Sequence, residues 1–275
     1  MAQSAQGLDV SNFQGRYAWA KTSGLSFGIH RLTQGLPADH ANSPDPTARW
    51  NHDQIARKGL LRGAYHFLNP TESGAAQAAY FVGQYAALGF GGKDMFWLDN
   101  EDARGQSPRT VAMCAQAFMR ELDNLVPHNP RGVYTFISFA KEGYNDGLSA
   151  YPLWLAYPNA TAPQPPPPWT RWTFWQWGQR NGVDADAFNG TEAKLADWVA
   201  SYAPAPDPPT GGGKYVAAGN VSLRTFAHQH GRTVQEVVCE TAQHAPSGFG
   251  PAQAPYVAQG NWDALMPKGM LVWLP

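Results

Sequence analysis

Charge is scarce in this sequence. Asp, Glu, Lys and Arg make up 15% of its 275 residues and nearly cancel, to a net charge of −1; an average globular chain carries roughly 25%. Following a nucleic-acid backbone or an anionic membrane takes a basic face, so neither partner is expected. Long apolar runs are missing too: none approaches the ~20 residues that cross a bilayer. The opening MAQSAQGLDV has neither the basic start nor the apolar stretch of a secretory signal. Cysteine is nearly absent, and Cys114 and Cys239 stand far apart, which argues for free thiols over a disulfide framework. The histidines are scattered, and beyond the single His228-Gln229-His230 pair no HxxxH or CxxC spacing occurs, so neither a metal nor another cofactor is expected. These absences fit a protein made in a reducing cytoplasm without a signal peptide.

Aromatic and small residues take the place of charge: 11 Trp, 11 Tyr, 13 Phe and 28 Gly. Flat rings with a polar edge suit sugar faces as well as cores, and composition alone leaves both uses open.

The clearest boundary is the run Ala203-Pro204-Ala205-Pro206-Asp207-Pro208-Pro209-Thr210-Gly211-Gly212-Gly213, half stiff and half flexible. It divides the chain into a domain over 1–202, a linker over 203–214 and a small domain over 215–275. In the first, short apolar runs alternate with helical patterns. Strands are expected at Gly7–Val10, Phe27–Leu32, Leu61–Phe67, Met95–Leu98, Gly132–Phe136, Leu153–Tyr157 and Thr173–Trp177. One helix is expected over Glu72 to Leu88, with Ala75, Ala79, Phe81 and Val82 on compatible faces. Another follows Ser107, a capping serine with Pro108 at the first helical position; Val111, Ala115, Phe118, Leu122 and Leu125 then recur at helical spacing. Alternation of this kind predicts an α/β fold with a mainly parallel sheet, and a closed barrel fits this length.

The chemistry concentrates at Phe96-Trp97-Leu98-Asp99-Asn100-Glu101-Asp102, where an apolar strand runs into three acids. Side chains alternate along a strand, so Asp99 and Glu101 share a face, roughly 7 Å apart along the backbone. Two such carboxylates repel, which raises the pKa of one. A glycosidase uses such a pair, one group to protonate the leaving oxygen and one to stabilise the anomeric cation. Acids solvating a strand end would look the same. Asp9 ends the first strand, Tyr65 and His66 close the third, and Asp184 follows Trp175-Gln176-Trp177. Polar groups at several strand ends would converge on one cleft.

Gly7-Leu8-Asp9-Val10-Ser11 with Gln14-Gly15, Gly63-Ala64-Tyr65-His66-Phe67, Leu98-Asp99-Asn100-Glu101, Trp154-Leu155-Ala156-Tyr157 and Val183-Asp184-Ala185-Asp186-Ala187-Phe188-Asn189-Gly190 occur in that order. Over about residues 5 to 200 the chain thus resembles glycoside hydrolase family 25, the Chalaropsis-type lysozymes. The resemblance implies an incomplete TIM-like β/α barrel. It also implies cleavage of the bond from N-acetylmuramic acid to N-acetylglucosamine in bacterial peptidoglycan. Carried over by position, Glu101 would be the general acid and then base, and Asp99 would assist the 2-acetamido group or act as nucleophile. Asp9 and Asp184 would complete the acidic cluster. Tyr65, Tyr134, Tyr157 and Trp175 would be substrate-binding cleft residues, with core packing as the other reading. His66 fits a core histidine equally, Asp186 stands where the family often has Asn, and Asp102 reads as a solvated neighbour.

The final domain resembles a LysM module with a βααβ, α+β order: Tyr215-Val216, Gly219-Asn220-Val221-Ser222-Leu223, Phe226-Ala227, His230-Gly231 and Pro267-Lys268-Gly269-Met270-Leu271 with Leu274-Pro275. Helices are expected at Ser222 to His230 and Thr233 to Val238, and a closing strand at Met270 to Leu274. The resemblance implies binding to GlcNAc-containing glycan. The whole then resembles a phage endolysin, made in the host cytoplasm and acting on the cell wall after release. An inactive wall-binding protein, or a chitinase or N-acetylglucosaminidase on the same scaffold, are the alternatives.

Overall fold

The computed structural model describes residues 4–37, 43–203, 214–216, 222–229, 231–232, 237 and 271–273. The chain divides into two compact units, Met1–Ala203 and Pro204–Pro275. Among the described residues, no helix is long and apolar enough to cross a membrane.

The first unit is an eight-stranded closed barrel whose strands neighbour one another in chain order. They are β1 (Gln6–Val10), β2 (Phe27–Gln34), β3 (Leu61–Phe67), β4 (Met95–Asp99), β5 (Arg131–Phe136), β6 (Leu153–Ala156), β7 (Phe174–Arg180) and β8 (Val183–Phe188). Strands β1 to β7 run parallel, while β8 runs antiparallel to both its neighbours, β7 and β1. The expectation of an incomplete barrel needs correcting here, because β8 closes the sheet. What is incomplete is the outer ring. Helices α1 (Ala48–Arg57), α2 (Gly74–Leu88), α3 (Pro108–Leu125) and the short α4 (Ile137–Lys141) follow β2 to β5 in turn. No helix stands between β6 and β7, and β7 turns directly into β8.

Local rules account for the helices. Ser107 caps α3 by accepting from Thr110 N at 3.2 Å, with Pro108 at its start. Val111, Ala115, Phe118 and Leu122 bury one stripe, but Leu125 is exposed. Ser73 caps α2 in the same way. Its buried stripe is Gly74, Gln77, Ala78, Phe81 and Tyr85, so Ala75 and Ala79 lie off the packed face. Polar Gln77 belongs in that stripe because it accepts from His66 Nε2 at 2.9 Å and from Asn69 N at 2.9 Å. Thr33 Oγ1 pairs with the other ring nitrogen of His66 at 2.8 Å, and Phe118 stacks on the ring. His66 is a core histidine.

Inside the barrel, alternation sorts the residues by height. At the end where the parallel strands begin, Phe27, Met95, Trp97, Trp154, Phe174 and Phe188 fill the lumen. Glycine makes room for them: a Cβ on Gly7 would enter the ring of Phe27, and one on Gly132 the ring of Trp97. Helix α5 (Glu192–Ala200) adds Leu195, Trp198 and Val199 to the same cluster, with the Trp198 ring packed on Trp97, Phe174 and Phe188. On the outside, His30 and His52 pack edge to face at 5.6 Å, and His30 Nε2 and His52 Nδ1 are buried without hydrogen-bond partners.

In the second unit, β9 (Lys214–Val216) pairs antiparallel with β10 (Leu271–Trp273), and α6 (Leu223–Gln229) is capped by Ser222, which accepts from Thr225 N at 3.1 Å. The expected helix from Thr233 to Val238, apart from Val237, lies outside the described residues. So do the motif positions Gly219, Asn220, Val221, His230, Pro267 to Met270, Leu274 and Pro275.

Candidate active site

At the other end of the lumen the aromatic filling gives way to polar groups. A pocket of about 180 Å³ is lined by Asp9, Ser11, Phe13, Gln14, Arg31, Tyr65, Phe67, Asp99, Glu101, Tyr134, Trp154, Gln176 and Asp184. These come from the C-terminal ends of the parallel strands, where barrel sites are built, and from the first turn of β8. Because β8 is reversed, it brings Asp184 to the mouth with its beginning. A larger hollow, about 500 Å³, opens at the opposite end beside Leu153, Thr173, Phe188, Trp198 and Tyr202, and no carboxylate lines it.

The strand end of β4 is locked from outside. Asn100, between the two acids, donates from its buried amide to Tyr144 O at 3.1 Å and to Asn145 Oδ1 at 3.0 Å, and its own N–H donates to Tyr134 O at 3.0 Å. With Asn100 turned outward, alternation holds Asp99 and Glu101 toward the lumen. Asp9 stands opposite Asp184 in the β1–β8 ladder. Its Oδ2 accepts the amide of Gln176 at 2.9 Å, and Gln176 Oε1 accepts the Tyr134 hydroxyl at 3.1 Å. Asp184 Oδ1 accepts from Gln179 at 3.1 Å. Asp99 keeps Oδ1 buried with no hydrogen-bond partner.

Burial and mutual repulsion raise the pKa values of Asp99, Asp9 and Glu101. Burial, then the Glu101 and Asp9 charges, push Asp99 well above the usual carboxylate range, with Arg31 pulling the other way. Burial and then Asp184 raise Asp9 to about 7, against the hydrogen bond from Gln176 and the influence of neighbouring Asp186. Burial, then Asp102 and Asp184, raise Glu101 to about 6. Burial and the facing acids also push the phenols of Tyr65 and Tyr134 well up, so both stay hydrogen-bond donors.

Of the residues expected from sequence, Asp9, Asp99, Glu101, Asp184, Tyr65 and Tyr134 meet in this pocket. Tyr157 and Trp175 are not part of its lining. Trp175 lies between Phe174, which packs in the lumen, and Gln176, which lines the mouth, and its indole donates to Tyr157 O at 3.0 Å. Asp102 is ion-paired with Arg104 at 3.4 Å, away from the pocket lining. Sequence reasoning missed three contributors. Gln176 orients Asp9. Buried Arg31 pairs with Asp45 at 3.1 Å and also bonds Asn12 Oδ1. Phe13, 83% exposed at the rim, lies 5.5 Å from the Arg31 guanidinium. A polar residue alternating with aromatics at 175–177, and a cation inside the apolar run of β2, were the signals available for the first two. Among the described residues, no set of three His, Cys, Asp or Glu side chains is disposed to hold a metal ion.

Comparison with known proteins agrees with this geometry. The model of glycosyl hydrolases family 25 matches residues 8–186. Lysozyme M1 of Streptomyces globisporus is 31% identical over 218 residues, covering 69% of this chain and 69% of that protein. The N,O-diacetylmuramidase of Chalaropsis sp. is 30% identical over 203 residues, 68% of this chain and 92% of the other. The crystal structure of the bacterial lysozyme from Streptomyces coelicolor is similar with a TM-score of 0.63 at 29% identity, covering 73% of this chain and 99% of that one. The matched span carries all four mouth acids, and the chain belongs to family 25 of the glycosyl hydrolases.

Proposed function

We propose that this glycoside hydrolase is an N-acetylmuramidase. It hydrolyses the β-1,4 bond between N-acetylmuramic acid and N-acetylglucosamine in bacterial peptidoglycan, as an endolysin-type lysozyme. The observation that carries this reading is the pairing of Glu101, half-buried with a pKa near 6, with the fully enclosed Asp99 in one pocket. Glu101 is protonated often enough to give its proton to the leaving oxygen, then takes one from water as general base. Asp99 lines the pocket beside Glu101. A 2-acetamido N–H donated to its carboxylate would aim the acetamido oxygen at the anomeric carbon, so we favour substrate assistance over direct attack by Asp99. Asp9 and Asp184 add negative charge around the developing oxocarbenium ion. The names of the relatives, a lysozyme and a diacetylmuramidase, support the same substrate.

The second unit, on this reading, is a LysM-like module that holds the enzyme on GlcNAc-containing glycan and raises its local concentration on the wall. The endolysin role predicts that producing cells lyse only once their membrane is permeabilised; intact producers that lyse unaided would count against it.

The test of the reaction is mass spectrometry of borohydride-reduced fragments from purified peptidoglycan, digested with wild type and with Glu101→Gln. Muramitol ends from wild type alone support the proposal. Glucosaminitol ends move the cut to the other glycosidic bond, and no new reducing ends from wild type refute it.

A further inference from the structure

Below the mouth acids lies a carboxyl group to which the proposed reaction gives no part. Asp186 is fully buried on β8, in register with Gly7 on one side and Gln176 on the other. Its Oδ1 accepts the indole N–H of Trp154 at 2.8 Å, and Trp154 packs in turn against Trp97 and Tyr134. Its Oδ2 is shut off from solvent and has no hydrogen-bond partner.

No side-chain donor stands within hydrogen-bond distance of that oxygen. The Gln176 amide donates to Asp9 Oδ2, and the Tyr134 hydroxyl donates to Gln176 Oε1. What lies within hydrogen-bond reach of Asp186 is Asp9, another buried carboxyl. Were both ionised, a bare oxygen would sit in an apolar lumen against a like charge, and each condition alone is costly. One proton removes both. On Oδ2 it turns an orphan acceptor into a donor, and Asp9 is the acceptor in reach.

We propose that Asp186 is held as a neutral acid whose Oδ2–H donates to Asp9, so that it acts as a positioning residue for the mouth acids. Trp154 fixes one oxygen of Asp186 and the proton fixes the other. Asp9 then receives two donors, the Gln176 amide and the Asp186 acid. Both favour its ionised form and hold its carboxylate in one orientation beside Asp184. Burial, reinforced by the Asp9 charge, pushes Asp186 well above the usual carboxylate range, in keeping with this arrangement. Only the catalytic consequence rests on the muramidase reading.

Infrared difference spectroscopy of the full-length chain near neutral pH, wild type minus Asp186→Asn, is the direct test. The expected result is a protonated-carboxyl carbonyl band that moves in deuterated water. Carboxylate bands in its place overturn the proposal. This readout needs no turnover, so its failure is distinct from a failure to find muramitol ends. The kinetic arm compares Asp186→Leu, which removes the donor, with Asp186→Asn, which supplies an amide donor. Loss of a hydrogen bond to a charged group predicts an about ten- to hundredfold lower kcat for the leucine variant, restored in large part by asparagine. The pH limb set by Asp9 should rise in the leucine variant and coincide in wild type and asparagine. A limb that falls in Asp186→Asn would mean that a negative charge had been removed, and a leucine variant with wild-type kcat would end the positioning role.

Discussion

Asp9 on β1 and Asp184 on β8 stand directly opposite each other in the antiparallel ladder that closes the barrel. Like charges at such positions oppose the pairing by a few tenths to ~1 kcal/mol, and after burial the Asp184 charge is the largest influence raising Asp9. The seam of the barrel therefore carries the repulsion of the site it creates. Asp184→Asn should raise the thermal midpoint at neutral pH by about 1–4 °C and let Asp9 titrate lower. Calorimetry and a carboxyl NMR titration check both. The sign follows from Asp9, whose folded pKa of about 7 lies above the ordinary carboxyl value of 3.8. Its contribution to stability is full below the lower value and is lost as pH rises through the upper one. An unchanged midpoint would show the seam to be relaxed.

Glu101 must hold a proton to act as acid, and its pKa lies near 6. Turnover on soluble glycan fragments should fall as pH rises past that value. Glu101→Gln should lose about 10²–10⁴ in kcat while its thermal midpoint stays at or slightly above that of wild type, because a buried repulsion has gone. A variant with near-normal turnover would remove Glu101 from the acid role.

Burial is the chief cause that pushes the Asp99 carboxyl well above the usual carboxylate range. A substrate N–H donated to its carboxylate favours the charged form, so binding should expel a proton. Titration calorimetry of an N-acetylated muropeptide in buffers of different ionisation enthalpy would read this as proton release, which Asp99→Asn should abolish. Equal heats in all buffers would count against the acetamido contact.

The pair His30 and His52 has the opposite sign. Burial lowers His52 from 6.5 to about 4 and His30 to about 3. Their contribution is complete above the unfolded value and is lost as pH falls toward the folded ones. His52→Phe should therefore gain on wild type in acid, by about 1–2 kcal/mol more near pH 5 than near pH 8. Urea midpoints at the two pH values test it, and a pH-independent difference would refute it.

Deletion of residues 204–275 should weaken retention on insoluble peptidoglycan while leaving turnover of short soluble fragments nearly intact. Sedimentation of enzyme with wall sacculi measures the first and reducing-end release the second. Undiminished retention would deprive the second unit of its proposed role.

Strand order and the acid pair were legible because both rest on local pattern. Met95 to Asp99 alternates inward and outward residues, and Ser107-Pro108 announces α3. The eighth strand was not, because Val183 to Phe188 inverts the usual polarity: its acids face the lumen while Val183 and Ala185 pack outside. The same alternation was available for Trp175 and Tyr157, each a neighbour of an inward residue, but it needs the facing of the strand to be known first. Gln176 and Arg31 acquire meaning only when distant strands meet. Which carboxyl a glutamine 167 positions away will orient is a property of closure.

Closure has one more consequence. Ala5 N–H donates to Gly190 O and Phe188 N–H to Ala5 O, each at 2.8 Å, so the start and finish of the ring of strands are already joined by hydrogen bonds. A ring has no privileged first member. The first unit could be encoded to begin at another connection, with a bridge joining its own two ends, and the same acids would still gather, because their meeting depends on circular order and not on which residue is translated first.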